Sequence, residues 1–289
     1  MNKEFEKISK KEGLQFIQEL LDYEKRRIDE FLSALNKREK NIFEQINIDF
    51  GIFPEKMPYP VYFCGDITKP KNKIVFIGIN PGYNEKTNNA EQDYLNNLGV
   101  FRGYCEMFSS FFRDKNVAYY KNMYSFLASV KKESGYFFRA VDKDTEDFSV
   151  AVRKNKNKLI WDWLQDNVIN LEAIPYHSKN TNGLTINDIE RYKERYLMPL
   201  LKIIKHIDPQ TPIFILGYPT VKRHFENENL KDFFVKNSTL VYHNAKGKKK
   251  EIAVGKLGGY DFVGLPFLNN YIAKEYPLMV KAINKYFNK

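Results

Sequence analysis

Apolar positions along this chain follow two rhythms. Over residues 11–48, Leu14, Ile17, Leu21, Ile28, Leu32 and Leu35 recur at helical spacing among charges such as Glu24-Lys25-Arg26-Arg27. That stripe predicts an amphipathic N-terminal helical extension over 1–50, laid on a main domain over 51–289. Further on, the apolar positions gather into short runs: 60–66, 73–79, 168–174 and 211–217. Each run stops at Gly, Pro, Asn or Lys, which marks a buried strand ended by a turn. Helical patterns separate them within 86–165, over 187–206, from Pro219 or Thr220 onward, and over 270–287. Segments 239–243 and 251–264 read as short strands around a basic turn. Strands alternating with helices predict an α/β fold with a mostly parallel central sheet and helices on both faces.

Composition narrows the function classes. Hydrophobic residues at 43% and charged residues at 28% over 289 positions suit a soluble globular protein with a sizeable core. No apolar run approaches the ~18 residues of a membrane helix. The opening MNKEFEKISKKEG lacks the apolar segment of a signal peptide. A cytoplasmic protein with no membrane partner is therefore expected, and no obligate protein partner is evident. Cys64 and Cys105 lie far apart and fit no zinc spacing, and two cysteines are too few for a four-cysteine cluster. The histidines at 177, 206, 224 and 243 show no metal spacing either, so no metal and no cofactor is expected. Phosphate-cradling glycine loops and nucleophile elbows are likewise absent. The net charge of +10 is clustered at 69–73, 153–158 and 246–250. Such clusters are either solvated loops or the footprint of a polyanion such as nucleic acid.

The candidate chemistry sits in KIVFIGINPGYNE, residues 73–85. A buried run ends in Asn80, held among Gly78, Pro81 and Gly82. Either Asn80 is one more turn residue, or it is presented at the carboxyl end of a parallel strand, where open α/β sheets keep their ligands. Gly78-Ile79-Asn80-Pro81-Gly82 resembles the first motif of the uracil-DNA glycosylase superfamily, in the form of its mismatch-specific and thymine-DNA glycosylase branch. Pro81-Gly82-Tyr83-Asn84-Glu85 and Phe101-Arg102-Gly103 are similar to motifs of the iron–sulfur branches. Asn170 to Pro175 matches their Asn-to-Pro element one residue short, and Phe214-Ile215-Leu216-Gly217 resembles the strand before the second motif.

The resemblance spans roughly 60–270 and implies a DNA partner and a flipped base. In it Asn80 holds the attacking water, and Gly78, Ile79, Pro81, Gly82 and Tyr83 form the base-binding turn. A neutral amide can orient water without deprotonating it, which suffices for an oxocarbenium-like transition state. Phe101 stacks on the base or is a core aromatic. Asn170 reads the base's edge or is a turn residue at the start of a strand. The superfamily's second motif, a His-Pro-Ser or Asn-Pro-Ser turn, survives only as a proline in Val263–Asn270. There Pro266, Phe267 and Leu268 supply a DNA wedge by position. His177 either donates to the departing base in place of the missing group or caps a strand end. Lys248, Lys249 and Lys250 are the candidate backbone contacts. Gly82 stands where the strict uracil enzymes carry a tyrosine that walls off pyrimidine C5. The expectation is a monofunctional DNA glycosylase for a 5-substituted pyrimidine. Phage defence is the implied setting, since the superfamily includes removal of glucosylated hydroxymethylcytosine from phage DNA. The alternatives are a uracil or mismatch repair glycosylase, and a catalytically silent nucleic-acid binder.

Overall fold

The structure, a computed structural model, describes residues 63–65, 73–79, 118–130, 138, 163–164, 167–174, 189–190, 193–269 and 271–288, with the isolated positions 15, 19, 22 and 26. These last four are helical and exposed, one face of the amphipathic stretch expected there. The strands are β1 (Phe63–Cys64), β2 (Ile74–Gly78), β3 (Val168–Glu172), β4 (Ile213–Leu216), β5 (Phe234–His243), β6 (Lys249–Leu257) and β7 (Tyr260–Leu265). They form one seven-stranded sheet in the order β1-β3-β2-β4-β7-β6-β5.

The four strands β3, β2, β4 and β7 run parallel. β1 pairs antiparallel at one edge, and the β5–β6 hairpin is antiparallel at the other. The sheet is therefore mixed around a parallel core. β2, β3 and β4 are buried at every position, as strands covered on both faces must be.

Helices α1 (Ala118–Val130), α2 (Met198–Ile207), α3 (Tyr218–Phe225) and α4 (Tyr276–Phe287) cover the two faces. On one face Phe214 stacks on Phe76 at 5.2 Å and meets Phe126 of α1 edge-on at 5.6 Å. Tyr276 of α4 closes on Phe126 at 5.6 Å. On the other face Tyr218 of α3 stacks on Phe234 at 5.9 Å, and Phe234 packs on Phe262 at 4.9 Å. Lys205 of α2 reaches the Tyr260 ring on that same side. No helix among the described residues is long and apolar enough to cross a membrane.

Two expected elements differ. Segment 251–264 is two strands, split by a tight Gly258-Gly259 turn with φ of 56° and 87°. Consecutive glycines admit those angles, and the strands fold back on each other as a hairpin. The long helix over 187–206 is interrupted by a π-helical turn, Lys193–Leu197, just before α2. Pro199 in the first turn of α2 has no N–H and crowds the carbonyl four residues back, which widens the preceding turn.

Phe214 touches β2, α1 and the buried Phe138 at once. Phe214→Ala should lower the unfolding free energy by roughly 3–5 kcal/mol, measured by chemical denaturation. A loss below ~1 kcal/mol would mean that this aromatic cluster does not hold the helices to the sheet.

Candidate functional site at the carboxyl edge of the sheet

Chain order and sheet order disagree at one place. From β2 the chain crosses to β3 on one side, then returns over β2 to β4 on the other. Crossovers that leave in opposite directions open a crevice outside the carboxyl ends of the strands, and α/β sheets bind ligands there. Here that switch point falls between the ends of β2 and β4, at Gly78-Ile79 and Leu216-Gly217. The ladder continues one step past β2 and β3, with Ala173 N–H donating to Gly78 O and Ile174 N–H to Ile79 O, each at 2.9 Å. The ends of the described strands, at Ile79 and Ile174, therefore lie side by side. On the β4 side Gly217 has φ of 70°, and the Phe267 ring lies against it, where a Cβ would fall 2.3 Å from a ring carbon.

One chemical group at this edge is conspicuous. Asn170 and Glu172 of β3 point to the same face and are 0% and 8% exposed. Asn170 Nδ2 donates to Glu172 Oε1 at 3.0 Å, while Glu172 Oε2 is buried with no hydrogen-bond partner among the described residues. The carboxyl lies across its register partner Gly78: a Cβ there would come 2.4 Å from Oε2. Only a residue without a side chain lets a carboxyl occupy that space. Burial raises the Glu172 pKa from the ordinary glutamate range to about 8, and the Asn170 hydrogen bond lowers it only in part. At neutral pH it is mostly a neutral acid.

The far edge supplies charge and exposed rings. β6 pairs with β7 only from Ala253 onward, so residues 249–252 overhang the carboxyl edge beside β5. That carries the hairpin tip, with exposed Lys246, Lys248, Lys249 and Lys250, past the ends of the parallel strands. Asn244 Oδ1 accepts from the backbone N–H of Lys246 and Lys248, closing the tip. Glu275 latches it by accepting from Tyr242 Oη at 2.9 Å and Asn244 Nδ2 at 3.2 Å. Burial, with Glu275 beside it, holds the Tyr242 phenol well above its usual range, so it stays a donor. In the loop after β7, Asn269 Oδ1 accepts from the N–H groups of Tyr271 and Ile272. This loop exposes Phe267 at 42% and Tyr271 at 96%.

Of the expected site residues, Gly78 and Ile79 end β2, Asn170 sits buried in the middle of β3 rather than in a turn at its start, and Phe267 lies on Gly217 at the end of β4. Pro266 leads from β7 into that loop. Asn80, Pro81, Gly82, Tyr83, Phe101 and His177 lie outside the described residues. One correction concerns the wedge: Leu268 is buried at 5%, so of the Phe267–Leu268 pair only Phe267 faces outward. Lys249 is engaged with Glu251 at 3.0 Å, an exposed pair that leaves it available to a stronger anion. Sequence reasoning passed over Glu172, Tyr271 and the Glu275 latch. The signal for Glu172 was present: a glutamate two places after an asparagine, in a run otherwise apolar. Comparison with protein-family models, curated proteins and solved structures finds no match to this chain.

The buried acid links pH to stability with a definite sign. The folded chain holds a proton on Glu172 that the unfolded chain releases above the ordinary glutamate range. Stability should therefore fall by up to about 1.4 kcal/mol per pH unit as pH rises toward 8, then level off. Glu172→Gln keeps an acceptor for Asn170 and cannot ionise, so its stability should be flatter across that window. Parallel wild-type and variant curves, from denaturation at several pH values, would place the ionised form in the fold.

Proposed function

We propose that this chain is a monofunctional DNA glycosylase of the uracil-DNA glycosylase type, removing a 5-substituted pyrimidine, with phage DNA as a natural source of such bases. The observation that carries the reading is the position of Gly78-Ile79-Asn80-Pro81-Gly82. Its first two residues, Gly78 and Ile79, stand at the end of β2 in the parallel core, beside the strand that carries the buried Asn170–Glu172 pair. Base hydrolysis needs a held water, a recess for an extruded base, and donors for the charge that develops on it. Asn80 serves as the water holder, and Gly82 leaves the C5 side of the recess open. No lysine stands in the motif to form a Schiff base, so no strand cleavage follows base release.

Incubation with duplexes carrying uracil, G·T mismatches, 5-hydroxymethylcytosine or its glucosylated form should yield abasic sites, most readily with the modified cytosines. Asn80→Ala should reduce the single-turnover rate by ~100-fold or more while DNA binding is retained. Wild-type rates in that variant would return Asn80 to the status of a turn residue. DNA binding without base release from any of these duplexes would favour the silent binder.

The overhanging hairpin supports a phosphate-binding role. Affinity for duplex DNA should fall steeply with salt. Replacing Lys248, Lys249 and Lys250 by Gln should make the slope shallower, by up to about one unit for each phosphate no longer neutralised. An unchanged slope would make the tip ordinary solvated surface.

A further inference from the structure

We propose that Glu172, positioned by Asn170 across the bare face of Gly78, is the group that donates a hydrogen bond, and then a proton, to the departing base. The inference rests on the glycosylase reading and supplies what that reading lacks, because the second motif here has Leu265 in place of the His or Asn before its proline.

Three observations converge on Glu172. It stands at the last position of β3, two residues nearer the carboxyl edge than Asn170, next to the strand that ends in the Asn80 motif. Its Oε1 is fixed by the Asn170 amide, which leaves Oε2 as the atom free to act. A buried carboxyl oxygen with no partner is costly, and such a group persists where a ligand completes its hydrogen bonding. Its raised pKa makes it a donor at neutral pH. The sign matters here, since an ionised carboxylate would repel the negative charge that grows on a leaving pyrimidine.

The surroundings keep this group neutral. In the sheet row of Glu172, the neighbouring strands present Gly78, Leu216 and Leu265. The buried titratable side chains on that face include the Tyr120, Tyr124 and Tyr276 phenols, Tyr242 with its Glu275 partner, and the Cys64 thiol, which accepts from Tyr120 Oη at 3.2 Å. Lys73, the buried cation at the start of β2, lies at the opposite end of the strand and on the other face. Among the described residues no charged group contributes to the shift.

The step balances without a cofactor. The C1′–N1 bond breaks with its electron pair remaining on the base. The Oε2 proton passes to that base at O2, or at N3 where the base is a cytosine. Water adds through oxygen at C1′, and the proton it releases returns to the Glu172 carboxylate through solvent. Asn170 is a positioning residue in this scheme, because its amide donates to Glu172.

The test is single-turnover excision by the full chain against pH, wild type beside Glu172→Gln, on whichever duplex of the panel above is cleaved. Wild-type rates should fall as pH rises through about 8, and the Gln variant should be slower by about 100-fold with no such fall. If the variant keeps the wild-type rate or the wild-type pH dependence, the inference is overturned and the glycosylase reading stands. If the wild type cleaves no duplex, the glycosylase reading falls, and infrared spectroscopy then judges Glu172 directly. The neutral carboxyl stretch, assigned by its loss in Glu172→Gln, should shift on addition of free cytosine or uracil. A band that neither base moves would overturn the inference as well.

Discussion

Strand β2 is hydrogen-bonded in parallel on both sides, to β3 and to β4, and the carboxyl edge takes its geometry from that double pairing. A strand in this position has no free ladder groups and no wet face, so its interior tolerates only apolar side chains. Its register is correspondingly firm, because a slip of one residue would exchange its two buried faces. Fixing β2 also fixes where the chain leaves the sheet. Ladder bonds at Gly78 and Ile79 hold the exits of β2 and β3 side by side, while the Phe267 ring covers Gly217 at the end of β4.

Against this apolar background Glu172 is a local conflict. A leucine or valine at its position would ask for no desolvation of a carboxyl group. The acid instead leaves Oε2 without a partner among the described residues, at a cost on the order of 1–3 kcal/mol. Gly78 compounds the conflict, since a glycine inside a strand weakens it and here gives its space to the carboxyl. Two unfavourable choices on adjacent strands, each making sense only with the other, are the mark of a site rather than of packing. The Asn170 amide makes the arrangement specific, because it holds one carboxyl oxygen and thereby orients the other.

The opposite side of the edge is built by a different device. Antiparallel strands β5 and β6 can extend beyond the parallel core because a hairpin supplies its own pairing. Such an overhang presents lysines without burying them, but two strands projecting from a sheet are weakly held. Glu275 answers that weakness by joining Tyr242 and Asn244 of the hairpin to the turn that precedes α4. One carboxylate thus ties the basic tip to the loop that exposes Phe267 and Tyr271. The combination is a charged finger beside two outward rings, the pairing of surface types that nucleic acids engage through phosphates and bases.

Much of this was legible in the chain itself. Unbroken apolar runs marked the core strands because strands buried on both faces need no alternation, and the first motif stood out because Asn, Pro and two glycines ended such a run. The Gly258-Gly259 hairpin was equally readable, yet the apolar positions on either side masked it as one strand. Pro199 announced a break in a helical pattern that its apolar spacing otherwise continued. Glu172 belongs to another category. Its glutamate is visible in the sequence, but a charge in a strand can mark an edge, a solvated face or a site. Which of these applies depends on the residue opposite, and that residue, Gly78, is far away in the chain. Local pattern reports what a side chain is; only register reports what space it has been given. For Glu172 that space is the missing side chain of Gly78, and burial there holds the carboxyl neutral against the opposing pull of the Asn170 hydrogen bond.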